Sequence, residues 1–123
     1  MKLVFHPDAE REFHEGIRQY LLIDPALGAD FEAKVEEAVA LAMSFPDAWR
    51  EIRPGIRRCL VRRFPYGILY SYDEDVFYIA AVMHLHAKPG YWRKRLKDSP
   101  VKSRRIGFDF CDFDRAGVGC GSV

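Results

Sequence analysis

No run in the 123 residues comes near the roughly 18 consecutive apolar positions that a membrane-spanning helix needs. The P-loop, G-x-G-x-x-G, G-x-S-x-G and C-x-x-C signatures are all missing, so the nucleotide-binding, hydrolase and thiol-redox chemistry they report has no support here. Cysteine is scarce: Cys59, Cys111 and Cys120 are an odd set without metal-ligand spacing, which argues against a disulfide framework and fits a reducing compartment. Cys59 reads as an ordinary strand residue. The opening MKLVFHPDAE turns acidic too early for a signal peptide, so a cytoplasmic protein is expected. There are no internal repeats, and the length suits one domain.

Net charge is also nearly absent, with 19 basic against 18 acidic residues, yet the two signs are segregated along the chain. Residues 8–44 hold nine acids against Arg11, Arg18 and Lys34. Residues 50–72 hold six arginines against Glu51, and residues 88–105 hold eight bases against Asp98. If the basic segments share a face, the molecule has a cationic side suited to phosphates or to an acidic protein.

What is abundant is apolar residues in two different periods. Lys2 to Phe5 is a short strand stopped by His6-Pro7. Pro7 suits a first helical turn, and Ala9, Phe13, Ile17, Tyr20 and Leu21 form one stripe, predicting a helix from about Pro7 to Ile23. Asp24-Pro25 breaks it, and a second stripe at Leu27, Phe31, Val35, Ala38, Val39 and Ala42 predicts an antiparallel partner ended by Phe45-Pro46. Residues 46–55 read as a loop pinned by Trp49 and Ile52. From Ile56 the period becomes two. Arg57 to Phe64 reads as an edge strand, because arginines on both faces discourage further pairing. Tyr66 to Tyr72 alternates as a half-buried strand, Asp73-Glu74-Asp75 makes a hairpin turn, and Val76 to Met83 is apolar at every position, as a central strand must be. Pro89 starts a short basic helix with Tyr91–Arg95 and Trp92–Leu96 pairs. The expected fold is α+β: a first strand, a helical hairpin packed on a small antiparallel sheet of three to four strands, and a short last helix. Residues 1–97 would form the domain. Residues 98–123 read as a flexible tail, despite alternation in IGFDFCDFD.

Three groups of residues have chemical potential. Arg57, Arg58, Arg62 and Arg63 could grip phosphates with two-pronged hydrogen bonds, or simply decorate a solvated edge. His84 and His86 leave the central strand on one face, where a pair can act as general acid and base, cap the strand end, or, less readily, bind a metal. Tyr91 and Trp92 sit among bases in a segment suited to stacking on unpaired nucleotides, although a large aromatic such as Trp92 is more often core. No metal or cofactor is expected.

FHPDAEREF at the start, the RRFPYGILY block, a buried strand and the HLHAKPGYW segment occur in an order that resembles the RelE/ParE superfamily of bacterial toxins, over about Lys2 to Leu96. That resemblance implies the toxin of a type II toxin–antitoxin pair, of the kind found in plasmid stabilisation, neutralised by an antitoxin whose tail wraps around it. It implies one of two mechanisms: ParE-like inhibition of DNA gyrase by binding, or RelE-like cleavage of ribosome-bound mRNA. Gly67 and His86 stand where many relatives carry arginine, and Trp92 stands near the nuclease tyrosine, departures that lean toward the ParE-like branch. Under the nuclease alternative Arg62, Arg63, His84, His86 and Tyr91 would carry the chemistry. Under the binding alternative Arg57, Arg58, Arg62, Arg63, Tyr66, His86, Lys88, Trp92, Arg93 and Arg95 would meet the target or antitoxin. An inert interaction domain of the same fold is the third alternative.

Overall fold

The two helices form where proline and aspartate set their ends. In the computed structural model, which describes residues 1–88 and 90–101, β1 (Lys2–Phe5) runs into α1 (Pro7–Ile23) through His6. The His6 ring caps the helix: its Nδ1 accepts the Asp8 backbone N–H at 3.0 Å, and Pro7 occupies the first turn, where no N–H is needed. Asp24 is both the last cap of α1 and the first cap of α2 (Pro25–Ser44), its carboxylate accepting from the Ala26 N–H at 3.0 Å. One residue therefore makes the whole turn of the helical hairpin.

Five strands follow the order β1-β5-β4-β3-β2, with β2 at Glu51–Arg53, β3 at Ile56–Leu60, β4 at Tyr66–Tyr72 and β5 at Val76–His84. The expected α+β outline holds, and the sheet is one strand larger and mixed. β1 lies parallel to β5, from Lys2 opposite Val76 to Phe5 opposite Ile79, while β2 to β5 form an antiparallel meander. β2 falls inside the segment expected as a loop. It pairs with β3 through three residues beside Pro54-Gly55, too few to show a period. β3 is accordingly not the edge, and it stops at Leu60, leaving Arg62 and Arg63 in a turn where Arg63 adopts φ 74°.

β5 is central, as its composition predicts, and carries a bulge. Leu69 pairs with Ala81 and Tyr70 with Ile79, which leaves Ala80 without a partner across the ladder. Phe77, Ile79 and Val82 consequently face the helices, and Tyr78, Ala80, Ala81 and Met83 face the other way. The helix-side core is built around Phe31, whose ring is fully buried with Tyr66, Tyr20 and Phe64 centred 4.8, 5.1 and 5.2 Å away. Gly16 on α1 makes this possible, since a Cβ there would stand 2.8 Å from Phe31 Cε2.

The opposite face of the sheet is covered as well. Trp92 and Val101 are buried there, with Leu96 and Tyr91 packed against the same cluster. β4 is therefore buried on both faces through Ser71, where half-burial was expected. The last element is a 3₁₀ helix at Arg93–Asp98, later and tighter than the helix expected from Pro89, a residue outside those described. Asp98 and Val101 join the fold. The rest of the expected tail, with Cys111, Cys120 and the IGFDFCDFD alternation, lies outside the described residues. No helix among the described residues is long and apolar enough to cross a membrane.

Candidate functional site

The four arginines of the basic strand and turn diverge. Arg57 is the helix-side residue, with its guanidinium donating to the Trp49 carbonyl at 2.6 Å and lying 3.7 Å from both Asp47 and Glu51. It staples the segment before β2 and is largely covered. Arg62 donates to Glu37 at 3.1 Å, and Arg63 pairs with Asp30, so both fold back onto α2. Arg62 and Arg63 themselves stay mostly in solvent, where such pairs are screened and add little stability.

Arg58 is different. Its stem lies across β4 at Gly67, where a Cβ would come within 3.1 Å of Arg58 Cγ and 3.4 Å of Leu85 Cδ2. Glycine thus lets Arg58 and Leu85 meet over the strand. Leu60, opposite Gly67 in the register, is 53% exposed and Leu85 39% exposed. Two leucines in water beside a cation with no carboxylate partner among the described residues form a small amphipathic patch, the kind of surface that marks a binding face. His86 and Lys88 continue the chain from Leu85 and are exposed.

His84 ends β5 and His86 lies in the turn after it, their rings centred 5.3 Å apart. His84 Nδ1 accepts the His86 backbone N–H at 3.1 Å, which is the strand-end capping reading. The other face of His84 meets the Tyr66 ring edge-to-face at 5.1 Å.

Glu12 on α1 accepts three hydrogen bonds. β1 has its last partner at Ile79, so β5 beyond it lacks a strand neighbour on that side. Glu12 and Arg95 supply one. Glu12 accepts the Val82 N–H at 3.1 Å and holds Arg95 in a bidentate pair, 2.9 Å at each oxygen, while Arg95 donates to the Ala80 carbonyl at 3.0 Å. Burial works against the Arg95 charge, and the hydrogen bonds and charge of Glu12 outweigh it, leaving the guanidinium more basic than usual. The guanidinium also lies over the Tyr91 ring at 4.9 Å, and Asp98 accepts from His6 Nε2 at 2.8 Å. Together these contacts latch the C-terminal segment to α1 and the sheet.

Sequence reasoning placed Trp92 and Arg95 on a partner-binding surface. Trp92 is 4% exposed and Arg95 is engaged inside, so neither is presented to a partner in this conformation. Glu12, His6 and Leu60 were not singled out. One signal for Glu12 was available, an acid one residue before Phe13 and three after Ala9, beside the apolar stripe.

Burial raises the Tyr66, Tyr70, Tyr78 and Tyr91 phenols, with Tyr78 pushed up to about 12 by burial and then by Asp98. The folded state holds these protons more tightly than the unfolded chain, where phenols titrate near 10. For Tyr78 that contribution is thus fully present below pH about 10 and lost as pH rises through about 12. Urea midpoints measured between pH 8 and 11 should fall steeply only above about 10, and Tyr78→Phe should flatten that fall.

Among the described residues no group of three or more His, Cys, Asp or Glu side chains could hold a metal ion. The scaffold has two α-helices and five strands, and sequence comparison assigns its class. The family described as the ParE toxin of the type II toxin–antitoxin system, parDE, matches residues 3–89. The chain belongs to this family. A solved structure of the chromosomal ParDE toxin–antitoxin system from P. aeruginosa is similar at 17% identity and a TM-score of 0.60, covering 70% of this chain and 97% of that one. At that identity the likeness speaks for the fold. No curated protein matches the sequence.

Proposed function

We propose that this protein is a cytoplasmic toxin, held in check by a cognate antitoxin, that disables DNA gyrase by occupying it and performs no catalysis of its own. Family membership supports the toxin role, and the dispersal of the candidate catalytic groups supports inhibition by binding. Arg62 and Arg63 are tied to α2, whereas His84 and Tyr91 line a cleft against α1 with Glu12 and Glu15 in its wall. Carboxylates beside a general base repel the phosphate that an RNA-cleaving site has to hold. Arg58, His86 and Lys88, three members of the expected partner-binding set, join Leu60 and Leu85 in the surface best suited to an acidic, amphipathic antitoxin tail.

Growth arrest on induction without antitoxin tests the division between the two faces. His84→Ala and Tyr91→Phe should still arrest growth and leave ribosome-bound message intact. Arg58→Glu should weaken antitoxin binding by about tenfold or more, because it inverts the charge at the centre of the patch. Codon-phased cleavage of message that disappears in His84→Ala would overturn the reading in favour of the nuclease.

A further inference from the structure

The cleft between α1 and the end of β5 is open to solvent, has a volume of about 380 Å³ and is lined by Glu15, Gly16, Tyr66, Val82, His84 and Tyr91 among others. Its charges cancel unevenly. Glu12 is saturated by Arg95 and the Val82 N–H, and Arg11 is held by Asp8 at 2.7 Å. Glu15 is left as an exposed carboxylate with no ion pair among the described residues, with the Gln19 amide one turn away on the same wall.

A second observation comes from the floor. Tyr66 is 9% exposed as a whole, and it lines the cleft with a hydroxyl that has no hydrogen-bond partner among the described residues. That oxygen lies 3.4 Å from where a Gly16 Cβ would be, so the missing side chain on α1 is what opens the cleft onto it. A ligand that donates to this hydroxyl takes the place of the water that reaches it through the cleft.

We infer that this cleft receives one arginine side chain of a partner peptide, its guanidinium donating to Glu15 and to the Tyr66 hydroxyl. The partly exposed His84 and Tyr91 side chains offer apolar surface to the arginine stem. A phosphate or a carboxylate ligand would instead meet the field of Glu12 and Glu15. The site is separate from the Arg58 patch and does not depend on which target the toxin disables.

The test is an NMR titration of the full chain with N-acetyl-arginine methylamide and with its uncharged isostere, N-acetyl-citrulline methylamide. Saturable shifts at the Gly16, Val82 and His84 amides are expected with the arginine compound alone. Glu15→Gln should weaken that binding about fivefold or more, and Tyr66→Phe by about threefold, as charge-assisted and neutral hydrogen bonds respectively are lost. Equal shifts from the citrulline compound, no saturable shifts at all, or affinity unchanged in Glu15→Gln would each overturn the inference. Both substitutions should leave the thermal midpoint within a few degrees of the parent, which separates a lost contact from a lost fold.

Discussion

Glu12→Ala is expected to lose about 3 kcal/mol of folding stability, read as a drop in the urea midpoint with an unchanged slope. The magnitude follows from what is left behind. Arg95, with 11% of its side chain exposed, would lose its bidentate partner and keep only the more distant Asp8 carboxylate at 3.9 Å, and the Val82 N–H would lose its acceptor at the unpaired edge of β5. The loss should be shared with Arg95: in a double-mutant cycle the pair Glu12→Ala and Arg95→Ala should cost clearly less than the sum of the singles, because removing both leaves no buried charge. Hydrogen exchange adds a spatial readout. Val82 and the 3₁₀ segment should lose protection before β3 and β4 do, since Glu12 ties that segment to α1. A midpoint shift worth less than about 1 kcal/mol would mean that water replaces Glu12 at the bulge at little cost.

Phe31→Ala is the other large effect, with an expected loss of about 3–5 kcal/mol. Phe31 is fully buried and touches aromatic rings contributed by α1, by β4 and by the turn after β3. Its removal would leave a cavity bounded by rings on three separate elements, which cannot all collapse inward together. Phe31→Leu should recover a good part of the loss, as a smaller but still apolar side chain fills part of the space. Both variants act on the scaffold, so antitoxin affinity measured at low temperature, where they remain folded, should be close to that of the parent.

How far the fold could be read in advance depended on how local its causes are. The helical hairpin was readable to the residue because Pro7, Asp24 and Pro25 act on the turns next to them and because the stripe of Phe31, Val35, Ala38 and Ala42 repeats within the helix itself. β5 was readable because two covered faces leave no polar position. β2 was not, since three residues between a loop and Pro54-Gly55 carry no period. The parallel pairing of β1 with β5 joins Lys2 to Val76 and leaves no mark near either.

The candidate site divides in the same way. Arg57, Arg58, Arg62 and Arg63 look alike in a string, and only the register of β3 on β4 shows that Arg57 faces α2 while Arg58 crosses Gly67. Arg95 looked like one more base in a basic run. Its acid lies 83 positions away, on a helix whose own pattern reads as an ordinary amphipathic stripe. Leu85 gave no signal because its exposure depends on a turn anchored by its own N–H to the Pro65 carbonyl at 2.8 Å.

The central claim, that this toxin works by occupying gyrase, is tested most directly by a supercoiling assay with the purified chain, gyrase, ATP and relaxed plasmid, and no ribosomes present. Supercoiling should be blocked in a dose-dependent way and restored by the cognate antitoxin. Normal supercoiling at saturating toxin would contradict the claim.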